Sequence, residues 1–494
     1  MSRLASLSSP PRLFAAAGLA LALVTALSVP TFANLAVTQI SADPYANSSS
    51  QHATQVEPDT FAYGSTIVAA TQTGRFFDGG SSNICWATST DSGANWTRGC
   101  LPGITKPANP LNPYDRVSDP SVAYDAKHNV WLISSLALSQ SNNSVIGAAV
   151  LTSRSTDGGL TWGAPILVTN IGDVDKNWIV CDNTATSPFY GNCYTQWDEF
   201  SDGDRLYMST STDGGLTWGG RKTTANNATG LGGQPVVQPN GTVVVPAANA
   251  NETAIIAFTS TNGGATWGNT VTVASVADHA VAGSLRSGPL PSAEVDAAGK
   301  VYVVWQDCRF RRGCASNDIV MSTSLNGTTW TAPARIPIDP TSSKVDHFIP
   351  GLAVDRATSG ASAKLVVTYY YYPVAKCRAS TCELSVGYTS SVDGGSTWTT
   401  GTQIAGPMSL SSLPDTSQGR MVGDYVSTSF VGGTARAAFS LANAPTGGSF
   451  NQSMYTTSAG LVALNGATVS IGNEKALPGA ASDHASPQAA FKRR

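Results

Sequence analysis

Carboxylates stand at recurring places in this chain. Glu57 and Asp119 open the short apolar runs EPDTFAY and DPSVAYD, Asp424 opens DYVSTSF, and Asp307 lies in WQDCR. Two carboxyl groups flanking a bond can act as acid and base, or as acid and nucleophile, which is the equipment of glycoside hydrolysis. Tyr425, next to Asp424, adds a phenol. Arg116, Lys176, Arg286, Arg309 and His347 fall just before such runs or in the loops after them. Guanidinium forks of this kind grip a carboxylate bidentately. Any one of these acids could instead accept hydrogen bonds from a neighbouring loop and hold the fold together. Recurrence at equivalent positions is what singles out the set, in a chain with only 12 % charged residues.

The elements that position them also recur. Starts of one kind read Glu57-Pro58, Asp119-Pro120, Lys176-Asn177-Trp178, Gln234-Pro235, Leu290-Pro291, Ile349-Pro350 and Gly423-Asp424-Tyr425. Between them stand six copies of S-x-D-x-G-x-T-W, at Ser89–Trp96, Ser155–Trp162, Ser211–Trp218, Ser260–Trp267, Thr323–Trp330 and Ser391–Trp398. A fixed motif at irregular intervals marks one structural unit with variable loops. Its chemistry is that of a hairpin turn: Asp or Asn caps backbone N–H groups, Gly takes positive φ, and Thr-Trp begins the return strand. Each copy follows a strand-like run, among them Ala148–Ser153 and Arg205–Thr210.

These turns are Asp-boxes, and the chain resembles the sialidase-like (BNR/Asp-box) β-propeller superfamily. The resemblance implies an all-β propeller of four-stranded blades. Seven starts imply seven blades, with Leu35–Ile40 supplying the missing strand of the last; six blades are the alternative if that segment stays apart. First strands then line a central channel, Asp-boxes lie on one face, and the candidate residues gather at the opposite mouth. Sialidase chemistry uses a tyrosine nucleophile assisted by a glutamate, with an aspartate as acid/base. The resemblance offers Tyr425 or Tyr114 as the phenol, Glu57 as its partner, and Arg116, Arg286 and Arg309 as the arginine cluster. The F-R-I-P stretch that carries the first arginine in many sialidases is missing from the first blade, and Arg335-Ile336-Pro337 follows an Asp-box instead. Two function classes are open: a glycoside hydrolase using paired carboxylates from Glu57, Asp119, Asp307 and Asp424, or a non-catalytic glycan- or protein-binding propeller. Neither requires a cofactor, although a carboxylate-rich mouth offers the hard oxygen ligands that suit Ca²⁺.

Composition bounds the rest. The chain has 494 residues, 48 Gly, 27 Pro and a net charge of −3, which directs it toward neither nucleic acid nor an anionic membrane. Arg3 and Arg12 precede the apolar run Leu13–Leu27, and small residues lead to Thr31-Phe32-Ala33. That is the form of a secretory signal over residues 1–33, so the mature protein is expected outside the cell as a monomer. The eight cysteines fall into four close pairs: Cys85/Cys100, Cys181/Cys193, Cys308/Cys314 and Cys377/Cys382. Export and pairwise proximity predict four local disulfides. One propeller domain is expected over 34–474 and a disordered tail over 475–494.

Overall fold

The computed structural model describes residues 1–2, 34–141, 144–465, 469–470, 474–477 and 482. The expected signal segment lies outside the described residues from residue 3 on, as does most of the expected tail. The chain divides into two units, Met1–Ala33 and Asn34–Arg494, and every described strand belongs to the second.

This second unit is all-β; among the described residues, helical ones are confined to three-residue 3-10 turns. Its strands form successive antiparallel meanders. The first runs Gln51–Tyr63, Thr66–Arg75, Ser81–Ser89, Thr97–Cys100, and the second Arg116–Asp125, Val130–Ser141, Ser144–Ser155, Ile166–Thr169. A single pairing, Ser81 with Val117, joins these two into one eight-stranded sheet. Later meanders begin at Val174–Cys181, Val236–Val237, Ser292–Val295, Asp346–Val354 and Ser427–Val431. First strands touch in succession along the chain, and Ser427–Val431 touches Gln51–Tyr63. The last meander takes its fourth strand from the N-terminal segment: Val37, Thr38 and Gln39 pair with Thr457, Thr456 and Tyr455.

Apolar side chains from the facing sides of neighbouring meanders fill the space between them. Val68, Ile84 and Trp86 of the first pack with Val122, Ile133 and Trp162 of the second. Burial of this kind contributes roughly 25 cal/mol per Å² of apolar surface, and it requires each strand to hold its register.

The Asp-boxes are closed hydrogen-bond circuits. Ser155 Oγ donates to Asp157 Oδ1 (2.7 Å) and accepts from Gly159 N–H (2.9 Å), while Thr161 donates through its N–H (2.9 Å) and its hydroxyl (2.6 Å) to the same carboxylate. The identical segment around Asp213 repeats the pattern, with Thr217 Oγ1 donating at 2.6 Å. These bonds favour the ionised carboxylate and hold Asp157 down to about 2. The carboxylates are consumed by their own turns.

All four expected disulfides are present: Cys85–Cys100, Cys181–Cys193, Cys308–Cys314 and Cys377–Cys382. The first joins the third and fourth strands of the first meander, and the second joins the first two strands of the third. Among the described residues no helix is long and apolar enough to cross a membrane.

Candidate functional site

Four first strands share a backbone irregularity that decides where their side chains go. Pairing with the second strand slips between Val56 and Asp59, Ser118 and Ser121, Asp175 and Trp178, and Phe348 and Gly351. Inside each slip one residue takes a left-handed backbone: Glu57 (φ 55°), Asp119 (φ 46°), Lys176 (φ 53°) and Ile349 (φ 49°). Such a bulge re-aims a side chain, and each non-glycine residue so held costs on the order of 1–3 kcal/mol that the surrounding sheets must offset. Three of the four carry charge, and those three converge.

Glu57, Asp119, Lys176, Arg286 and Asp424 are buried together. Lys176 Nζ donates to Asp424 Oδ2, and Arg286 grips the same carboxylate through Nε (2.6 Å to Oδ1) and Nη2. These cations hold the Asp424 carboxyl well below the usual range against the opposing effect of burial. Glu57 behaves in the opposite way. Burial first, then the charges of Asp119 and Asp424, push its carboxyl well above the usual value. Burial also raises Asp119, while a hydrogen bond from Glu57 and the charge of Lys176 favour its ionised form. The surroundings thus raise both carboxyls, Glu57 the more strongly, and favour a shared proton between them. Gln72 Nε2, across the sheet, donates to Glu57 Oε2.

The group opens into a cavity of about 480 Å³ lined by Glu57, Asp119, Lys176, Arg286 and Arg75, with Asp78, Asp173 and Asp175 among its acids and Leu136, Leu138 and Ile146 among its apolar contacts. Arg75 donates to Gly80 O (2.6 Å) and meets Met421 Sδ (3.3 Å); among the described residues it forms no ion pair. Burial and neighbouring Arg286 lower its guanidinium to about 10.

The remaining sequence candidates lie at varying distance from this cavity. Arg116 borders it, ion-paired with the lining residue Asp78, bonded to Gly79 O (2.9 Å) and lying 4.2 Å over Phe76. Tyr425 is buried beside the carboxylates without lining the cavity; its hydroxyl donates to Pro120 O (3.1 Å) and its ring meets Trp178 edge-on at 4.9 Å. Burial and the charges of Glu57 and Asp119 push that phenol up, against the phenolate a nucleophile needs.

Asp307, Arg309 and His347 are not brought to the cavity. Asp307 pairs with Arg309 (2.6 Å) and accepts from Trp305 Nε1 (3.2 Å) and Ala277 N–H (3.3 Å), so its carboxylate closes its own loop rather than facing the mouth. His347 is buried against Tyr369, its Nε2 3.8 Å from Asp339. Asp318, Asp339 and His347 offer atoms within 4.8 Å of one another, the spacing of a metal site. Arg311 and Arg335 already pair with both carboxylates there, supplying the positive charge that a cation would bring.

Sequence reading passed over Gln72, Asp78 and Asp173. Gln72 stands opposite Val56 in the sheet, one residue from Glu57, so alignment of the second strands on their first strands is the signal that would have found it.

Residues 189–364 match the BNR repeat-like domain family, a stretch that contains the boxes at Ser211–Trp218, Ser260–Trp267 and Thr323–Trp330. Among curated proteins the chain has no match. Similar solved structures include a Dyadobacter fermentans protein of unknown function (15 % identity, TM-score 0.44, 72 % of this chain and 98 % of that one). Others are the leech intramolecular trans-sialidase (13 %, 0.43, 67 % and 67 %) and an α-L-arabinofuranosidase from Fusarium graminearum (13 %, 0.43, 72 % and 97 %).

Proposed function

We propose that this chain is an exported glycoside hydrolase on a seven-bladed β-propeller, a reading supported by its recurring Asp-boxes and by the BNR repeat-like match over residues 189–364. Support for the blade count comes from the circuit of touching first strands and from the N-terminal segment that completes the last meander. Four disulfides support export.

The observation that carries the catalytic reading is that Glu57 and Asp119 line one cavity together, buried beside the Asp424–Lys176–Arg286 group. Two buried carboxyls this close cannot both ionise readily, so they hold one proton between them that can be given to a substrate. Glu57 donates its proton to the leaving glycosidic oxygen as that bond breaks. Asp119, hydrogen-bonded to Glu57, orients that proton, and the pair takes one back from the water that adds to the sugar. Asp424, fixed by Lys176 and Arg286, sets the local field, and Arg75 offers donors to the substrate. No cofactor takes part in this step; Ca²⁺ would find oxygen ligands on the acidic rim of Asp78, Asp173 and Asp175, and loss of turnover on chelation tests that addition.

A panel of chromogenic glycosides on the mature protein tests the reading. Glu57→Gln and Asp119→Asn should each lower turnover of the accepted glycoside about 10²-fold or more, as removal of a general acid or base does. Folded variants with undiminished turnover would refute it. A second reading, a non-catalytic glycan-binding propeller, is favoured by one observation: Asp424 and its two cations already satisfy each other. Binding of a glycan without turnover of any glycoside would select it.

A further inference from the structure

The strand Gln51–Tyr63 borders a succession of spaces along its length. Glu57 faces the carboxylate cavity, and Asp59 a small void of about 40 Å³. Phe61 borders that void and also, with Tyr63, a second cavity of about 490 Å³. That second cavity shares no lining residue with the first. Trp178, in the lining of the void, packs edge to face against Tyr425.

We infer that this second cavity is a binding site for a neutral oligosaccharide, separate from the hydrolytic centre. Its platform is aromatic and braced. Tyr63 is 44 % exposed, yet its ring is fixed 4.4 Å from Tyr124, which in turn lies 4.9 Å from Trp131. Phe61 meets Trp131 edge-on at 6.3 Å, and the Arg356 guanidinium lies 4.8 Å from the centre of the same Phe61 ring. An exposed aromatic ring held by a second row of rings presents apolar area at little entropic cost, and sugar C–H faces stack on such a surface. Beside it, Arg356 and Glu294 pair at 3.1 Å on the cavity wall and give donors and acceptors suited to hydroxyl groups. Two further carboxylates of the lining, Asp296 and Asp355, are tied to turn N–H groups. Three carboxylates against one guanidinium make the lining acidic, which disfavours an anionic sugar. The volume is that of an ordinary small-ligand pocket, sufficient for a short oligosaccharide.

The site is tested on the mature protein by calorimetry and saturation-transfer NMR with neutral trisaccharides (cello-, malto-, manno-, xylo- and arabinotriose) and with sialyllactose as an anionic probe. At least one neutral trisaccharide should bind at millimolar or lower concentration. Tyr63→Ala and Glu294→Gln should each weaken that binding tenfold or more, with the thermal unfolding midpoint essentially unchanged because both groups reach solvent. Glu57→Gln should leave it intact, which separates this site from the catalytic reading. No binding by any neutral trisaccharide, binding unaltered in both variants, or preference for sialyllactose would overturn the inference.

Discussion

A Cβ on Gly423 would stand 2.7 Å from the Glu57 nitrogen and 2.9 Å from its Cα. Glu57 N–H also donates to Val422 O (3.3 Å), so the last meander presses directly on the residue that bears the candidate proton. Contact between the two ends of the strand succession thus sets the backbone of Glu57. Gly423 itself holds φ +143°, which L side chains rarely adopt. Gly423→Ala is expected to destabilise the protein by more than about 1 kcal/mol and to cut turnover in the molecules that still fold. Urea unfolding and glycosidase assays on the same preparation check both effects.

Trp398 is fully buried and its Nε1–H closes its Asp-box on Gly395 O (3.0 Å). Trp398→Ala should cost roughly 3–5 kcal/mol, as large aromatic truncations in cores do. Specific activity per folded molecule should remain, since the box lies apart from the cavity. Chemical denaturation followed by activity measurement on the folded fraction reads the two quantities separately.

Asp307 is expected to behave like Trp398 and unlike Glu57. Asp307 itself is fully buried, and removing it leaves the Trp305 and Ala277 N–H donors without their acceptor, at a cost of about 1–3 kcal/mol each. Asp307→Ala should therefore lower the unfolding midpoint strongly while the folded remainder keeps its turnover and KM. A lost activity with unchanged stability would return Asp307 to the site.

Asp59 gives the protein a pH signature. Burial raises its carboxyl to about 7, in spite of hydrogen bonds from Val122, Ser427 and Thr60 that favour the anion. Between about 4 and 7 the native state holds a proton that the unfolded chain has released, so stability must fall as pH rises through that window. The contribution is fully present below the unfolded value and amounts to about 4 kcal/mol at most. Asp59→Asn should flatten this part of the stability–pH curve measured by denaturant titration.

Legibility in the sequence followed how local the physics is. The Asp-box could be read because its carboxylate bonds lie within four residues of Asp157, and nothing distant alters them. Disulfides could be read for the same reason, each closing a short loop. Glu57, Asp119, Lys176, Arg286 and Asp424 could be placed together because they repeat at equivalent starts. Asp307 could not, because it ends a second strand, where Trp305 and Ala277 turn its carboxylate inward. Tyr425 looked like a nucleophile beside an acid, but Pro120, some three hundred residues away, takes its hydroxyl. Side-chain direction at a bulge depends on left-handed backbone, which the letters alone do not specify.

The pH dependence of kcat/KM, compared between the natural protein and Asp119→Asn, tests the central claim most directly. If Glu57 is the acid, activity falls on an alkaline limb whose midpoint lies well above the ordinary carboxyl range, because the charge of Asp119 helps to hold that proton. Removing the Asp119 charge should lower residual activity and move the alkaline limb to lower pH. An alkaline limb that stays in place in Asp119→Asn, or turnover that shows no alkaline limb, would contradict the assignment of Glu57 and Asp119 as a proton-sharing pair.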